Sequence, residues 1–110
     1  MDSIFPEPIS KLPEAEIPFK GIKAYLSQGE NHQIIFMEFK KDTDIPKHSH
    51  DSQWEIVLEG KVDYWEDGIK YTFKKGDRFY IPKGKKHSAK VYAGYASIVF
   101  FNQKERYKKK

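Results

Sequence analysis

The sequence predicts an all-β fold, an antiparallel sandwich or barrel, on three observations. Apolar stretches of strand length, about eight or nine of them, alternate with turn clusters at close intervals. Aromatic residues reach 15% of the chain, and their flat rings suit pleated surfaces better than helices. No segment carries the apolar period of an amphipathic helix over a useful length. At 110 residues the chain fits one domain able to bury its own core.

The opening segment, residues 1–19, carries four prolines, Pro6, Pro8, Pro13 and Pro18, which bar regular helix and central strand. Ile4, Phe5, Ile9, Leu12, Ile17 and Phe19 are too apolar for a free linker. The segment therefore reads as an extended arm lying on a barrel, its own or a partner's, with a helical turn over residues 13–16. The barrel is expected over residues 20–103 and a basic tail over 104–110.

A first strand is expected over residues 21–26, ended by the turn cluster Ser27-Gln-Gly-Glu-Asn31. Residues 33–39 are apolar on both faces for most of their length and should be sandwiched. Residues 40–44 read as a charged loop. Pro46 then keeps Ile45 extended. Residues 53–58 form a strand closed by Glu59-Gly60. Residues 62–66 and 69–73 form a hairpin across Asp67-Gly68, a strong two-residue turn signal. Residues 78–81 are a short strand stopped by Pro82. Residues 86–92 are a strand with His87, Ala89 and Val91 on one face, and residues 95–102 are the last. Phe36, Phe73, Phe79 and Phe100 read as core, while Tyr64, Tyr80 and Tyr92 are candidates for a pocket wall.

Composition excludes several function classes. The chain has no cysteine, so disulfides, thiolate catalysis and cysteine-ligated zinc are ruled out. No apolar run is long enough to span a membrane, and no signal-peptide pattern opens the chain, so the expected compartment is the cytoplasm. The net charge is +4, but five basic residues fall in Lys104-Glu-Arg106-Tyr-Lys108-Lys-Lys110. Such a run reads as a solvated, frayed tail. The body is close to neutral without it, so nucleic acid is not an expected partner.

The chemistry concentrates in His48-Ser-His-Asp-Ser-Gln53-Trp-Glu55-Ile-Val-Leu-Glu-Gly60. In extended backbone alternate residues share a face, so His48 and His50 point the same way. Two protonated imidazoles in one small space repel, and a shared cation removes the repulsion. Gln53, Glu55 and Val57 share a face of the following strand. His87 waits downstream, at the end of Gly76-Asp-Arg-Phe-Tyr-Ile-Pro82-Lys-Gly84-Lys-Lys-His87. Imidazole nitrogen with amide or carboxylate oxygen suits a first-row metal. His32, in a turn beside Asn31, reads as an ordinary surface histidine.

The spacing Gly76, Pro82, Gly84, His87 resembles the second motif of the cupin superfamily. The pair His48/His50, then Gln53, then six residues to Gly60, resembles the first. The resemblance implies a jelly-roll barrel (a double-stranded β-helix) open at one end. It also implies one divalent transition metal (iron, manganese, nickel, cobalt or zinc) held by His48, His50, Gln53 and His87. Two departures stand out. Only two residues separate His50 from Gln53, fewer than is usual in the family, and Val91 replaces an asparagine often found there. The first leaves Glu55, on the same face, as the alternative oxygen ligand; otherwise it stands behind the site or acts as catalytic base. The expected function is binding of a small oxygen-rich molecule and, if the chain is an enzyme, its oxygenation or isomerisation. The alternative is a non-enzymatic binding or sensing module on the same barrel. A homodimer is expected, with the arm or an outer sheet face buried against the second copy.

Overall fold

The computed structural model describes residues 3–110. Among them a single helical turn, α1 (Glu7–Ser10), precedes nine strands: β1 (Ile22–Gln28), β2 (Gln33–Phe39), β3 (Thr43–His48), β4 (Gln53–Glu59), β5 (Lys61–Glu66), β6 (Ile69–Lys74), β7 (Arg78–Ile81), β8 (His87–Val91) and β9 (Ala96–Phe101). They form two antiparallel sheets, one in the order β1-β2-β9-β4-β7 and one in the order β3-β8-β5-β6. The two sheets face each other as a jelly-roll. Alternation does the sorting: Gln33, Ile35, Met37 and Phe39 of β2 turn inward, as do Gln53, Glu55 and Val57 of β4. Leu26, Ile35, Val57, Val62, Val91 and Val99 anchor the core. Each such side chain contributes roughly 1.5–3 kcal/mol by leaving water.

Several expectations need correction. The stretch read as a charged loop enters β3 at Thr43, which pairs with Val91 and is buried. The helical turn lies after Pro6 and not over residues 13–16. Pro8 falls in the first turn of α1, where an N–H has no helical partner to lose. Glu14 and Ala15 are instead extended and bridge Tyr25 and Lys109. Phe36 and Phe100 belong to the outer face of the larger sheet. Phe36 packs under Phe5, and Phe100 stacks on His32 at 4.9 Å.

The arm lies on its own barrel. Phe5 meets Tyr25 and Phe36 edge-on, at 6.2 and 5.6 Å between ring centres. Glu38 secures it by accepting from Ser3 Oγ at 2.7 Å and from the Ile4 N–H at 2.9 Å. Ala15 and Ile17 join the core.

The tail is not frayed. The Glu16 N–H donates to the Lys108 carbonyl at 2.7 Å, and the Lys110 N–H to the Glu14 carbonyl at 2.8 Å. Gln33, 1% exposed, holds Tyr107 at both ends of its backbone. Its amide nitrogen donates to the Tyr107 carbonyl at 2.9 Å, and its oxygen accepts the Tyr107 N–H at 3.0 Å. Tyr107 packs against Phe101. Charge counting overlooked these two needs: a buried amide requires partners, and an aromatic ring favours cover.

Gly60 turns the chain between β4 and β5 with φ at +75°, and a Cβ there would stand 2.8 Å from Tyr95 Cα. Gly68, in the hairpin, has a similar φ of +74° but open space around it. Gly68→Ala should therefore cost only the backbone term of an αL residue, about 1–2 kcal/mol. Gly60→Ala adds displacement of a backbone and should cost more. Urea unfolding of both variants checks the order; equal losses would show that the close approach at Gly60 has no energetic weight.

Candidate metal centre

The adjacency of β3 and β8 sets His48 directly across from His87. The register slips between Ile45 and His48, and this irregularity lets the chain leave the sheet as it reaches the second histidine. His50 lies just beyond the strand. Its carbonyl accepts the Gly84 N–H at 2.9 Å, a bond that ties the two histidine stretches together. Gly84 has φ at +76°, which suits the tight turn after Pro82. The three rings are 4.3 to 5.1 Å apart between centres. One potential ligand atom from each lies within 4.8 Å of the others.

Each ring is oriented by a backbone carbonyl. His48 Nδ1 meets the Pro46 carbonyl at 2.9 Å, His50 Nδ1 the Asp51 carbonyl at 2.6 Å, and His87 Nδ1 the Lys85 carbonyl at 2.8 Å. A carbonyl only accepts, so the proton sits on Nδ1. In the neutral ring Nε2 then keeps its lone pair, the state that a metal requires. Burial lowers the His50 pKa from 6.5 to about 4; the Arg106 charge and the two neighbouring imidazoles add to the effect, against the opposing pull of the Asp51 carbonyl. His87 is lowered too, first by burial and then by His48 and Arg106. Three converging imidazoles, each with Nε2 left to offer a lone pair, fit a divalent transition metal.

Gln53 and Glu55 continue the same wall. Gln53 Nε2 donates to Glu55 Oε1 at 2.7 Å, and the Tyr95 hydroxyl donates to Glu55 Oε2 at 2.5 Å. Both carboxylate oxygens are thus engaged, and the Gln53 oxygen is left on the other side of its amide. Glu55 is buried, and burial pushes its carboxyl above the ordinary 4.5, while Tyr95, Ser97 and Gln53 pull the other way. Burial likewise raises the Tyr95 hydroxyl, and Glu55 reinforces the shift. Glu55 does not join the close group formed by the three imidazoles.

The site opens into a cavity of about 850 Å³ between the sheets. Tyr64, which stacks on His87 at 5.7 Å, and Phe79 form part of its wall. Of the three candidate tyrosines only Tyr64 lines it. Tyr80 is 59% exposed on the outer surface, and the Tyr92 hydroxyl donates to Asp63. Ile17 and Phe19 of the arm and Arg106 of the tail complete the lining. Sequence reasoning missed Arg106 and Tyr95. The only signal for Arg106 was an arginine followed by an aromatic within a run of lysines.

Comparison with known proteins agrees with this geometry. A family model described as "Cupin domain" matches residues 35–95, more than half of the chain. A quercetin 2,3-dioxygenase of Bacillus subtilis (strain 168) is 30% identical over 80 residues, 71% of this chain but 24% of that protein. The chain thus spans about a quarter of that relative's length. The crystal structure of an RmlC-like cupin from Shewanella frigidimarina superposes with a TM-score of 0.72 at 26% identity, covering 86% of each chain. A structure of Bacillus subtilis oxalate decarboxylase, described for its Mn(II) centers, superposes with a TM-score of 0.69 at 22% identity, over 88% of this chain and 29% of that one. The chain belongs to the cupin family.

Proposed function

We propose that this cupin holds one divalent transition metal through His48, His50, His87 and Gln53, and that it binds and transforms a small oxygen-rich molecule there by oxygenation or isomerisation. The observation that carries the reading is the convergence of three imidazoles, each with Nδ1 bonded to a carbonyl, at the wall of a ligand-sized cavity. The names of the two relatives, a dioxygenase and a protein with Mn(II) centers, support it. A bound metal would supply Lewis-acid polarisation of a ligand oxygen. Glu55 acts through Gln53: by accepting the amide N–H it turns the Gln53 oxygen away from itself and toward the site. Gln53 and Tyr95 each donate to one Glu55 oxygen and hold the carboxyl in place against the amide, so the role assigned to it is positioning.

Calorimetric titration with Zn²⁺ and Mn²⁺ tests the ligand set. His87→Ala should remove measurable high-affinity binding. Glu55→Ala should weaken binding by about 10–100-fold, as removal of an orienting group does. Gln53→Glu should tighten it, because a negative charge then faces the cation. Unchanged affinity on loss of His87 would end the reading. Oxygen uptake by the loaded protein with diols, keto-enols and carboxylates separates an enzyme from a binding module.

A pH dependence follows from His50. The folded ring stays neutral down to about 4, whereas the unfolded histidine takes a proton near 6.5. The unfolded state therefore gains protons first as the pH falls. The stability carried by neutral His50 is complete above about 6.5 and is lost as the pH drops through about 4. Chelator-treated protein should show a falling urea midpoint from pH 7 to pH 4.5, and His50→Gln should flatten that slope. A slope unaltered by the substitution would assign it to other groups.

We also propose a homodimer through the outer face of the larger sheet. Trp54 stands opposite both Tyr80 and Phe100, and Phe100 opposite Ile34, an apolar row where an antiparallel sheet facing water is normally polar. The arm covers the far side of this face and His32 stacks on Phe100, while Trp54 and Tyr80, 40% and 59% exposed, stay open. Sedimentation should find a dimer at micromolar concentration, and Trp54→Glu should give a monomer; a monomeric parent chain would dismiss the proposal.

A further inference from the structure

The tail carries a cation into the wall of the histidine cavity. The Arg106 guanidinium lies over the rings of Tyr107 and Phe101, at 4.4 and 5.5 Å from their centres. His50 meets the same Phe101 ring edge-on at 5.5 Å. One phenyl ring thus has the guanidinium and a site imidazole as neighbours. Stacking accounts for where Arg106 lies but uses none of its five N–H donors. Its Nε is buried without a hydrogen-bond partner among the described residues. Nor does Arg106 form an ion pair among them.

Charge balance points to what is missing. Three neutral imidazoles and a neutral amide leave the charge of a divalent metal uncompensated, and Arg106 adds a second cation that cannot be deprotonated. The acidic side chains of the cavity wall are Glu16 and Glu55, and Glu55 is already engaged by Gln53 and Tyr95. An anion lying between metal and guanidinium would satisfy both. Arginine matches a carboxylate in particular, with two parallel N–H donors for two oxygens. A second oxygen on the adjacent carbon would let the same molecule reach the histidine site.

We propose that Arg106 binds the carboxylate of a small 2-oxo or 2-hydroxy acid whose oxygens also reach the three-histidine site. The proposal rests on the metal reading above for the second contact, though not for the first. Arg106 is then a specificity-determining residue, held in place by the pairing of Tyr107 with Gln33.

Pyruvate is the probe, with pyruvamide as its uncharged counterpart. Calorimetry is run on the full chain, zinc-loaded and chelator-treated, for the parent, Arg106→Gln and Arg106→Lys. The zinc-loaded parent should bind pyruvate more tightly than pyruvamide. Arg106→Gln should weaken pyruvate by roughly 10–100-fold, the scale of a lost charge-assisted pair, and leave pyruvamide within about twofold. Arg106→Lys should fall between, since it keeps the charge but not the fork. Were Arg106→Gln to undock the tail, seen as a lowered Tm without ligand, the lysine variant still decides. Equal weakening of both probes, no change in either, or no pyruvate binding by the parent in either form would overturn the proposal. If zinc itself does not bind, the metal reading fails separately. The chelator-treated arm then judges Arg106: pyruvate affinity lower in Arg106→Gln supports it, and equal affinity overturns it.

Discussion

The carbonyls of Pro46, Asp51 and Lys85 each accept the Nδ1 proton of one imidazole, and much else in the molecule is arranged so that they can. Those carbonyls are delivered by three different backbone geometries. Pro46 lies within β3, Asp51 beyond its end, and Lys85 in the turn before β8. Their relative placement depends on the pairing of His48 with His87 and on the Gly84 N–H bond to His50. A one-residue slip of β3 against β8 would reverse which face carries each side chain and dismantle the cluster. The inward alternation of both strands against the core opposes that slip. The chemistry of the site is thus a property of the main chain, with the side chains following it.

The second organising element is the buried polar row formed by Gln53, Glu55 and Tyr95. A carboxyl group in a barrel core is costly unless its lone pairs are used, and here two donors use them. The arrangement also sorts the amide. In the structure Gln53 presents its nitrogen to Glu55, the orientation that suits an accepting carboxylate oxygen. A residue near the site is therefore oriented by one farther from it, and that one by a tyrosine from the segment preceding β9.

Much of the fold and of the histidine cluster was legible in the sequence, because both rest on short-range rules. Period-two alternation marked the strands, Asp67-Gly68 marked the hairpin, and the spacing around His48, His50 and His87 carried the family motifs. Illegible parts depended on contacts between distant segments. Nothing local to Thr43 announces that it pairs with Val91. Nothing in the lysine-rich end tells that Tyr107 docks on a glutamine in β2. The arm was readable as apolar and irregular, but only the structure distinguishes its own barrel from another's. Arg106 was hidden for the same reason: composition described its neighbours correctly as a basic run, and only their docking gives that one side chain an interior address.

Gln33 is what writes that address. Its side-chain amide offers the Tyr107 backbone an acceptor and a donor side by side, and spends its second donor on Gln28 Oε1 at 2.9 Å. It behaves as a peptide unit projecting from its own strand, so the tail is gripped as if by one residue of an extra strand. Of the larger side chains only glutamine can do this here. Glutamate would turn an acceptor toward the Tyr107 carbonyl, and methionine would fill the volume with no polar edge. The cation in the cavity wall is therefore encoded twice, once where it stands and once, far away in the chain, by a side chain that imitates backbone.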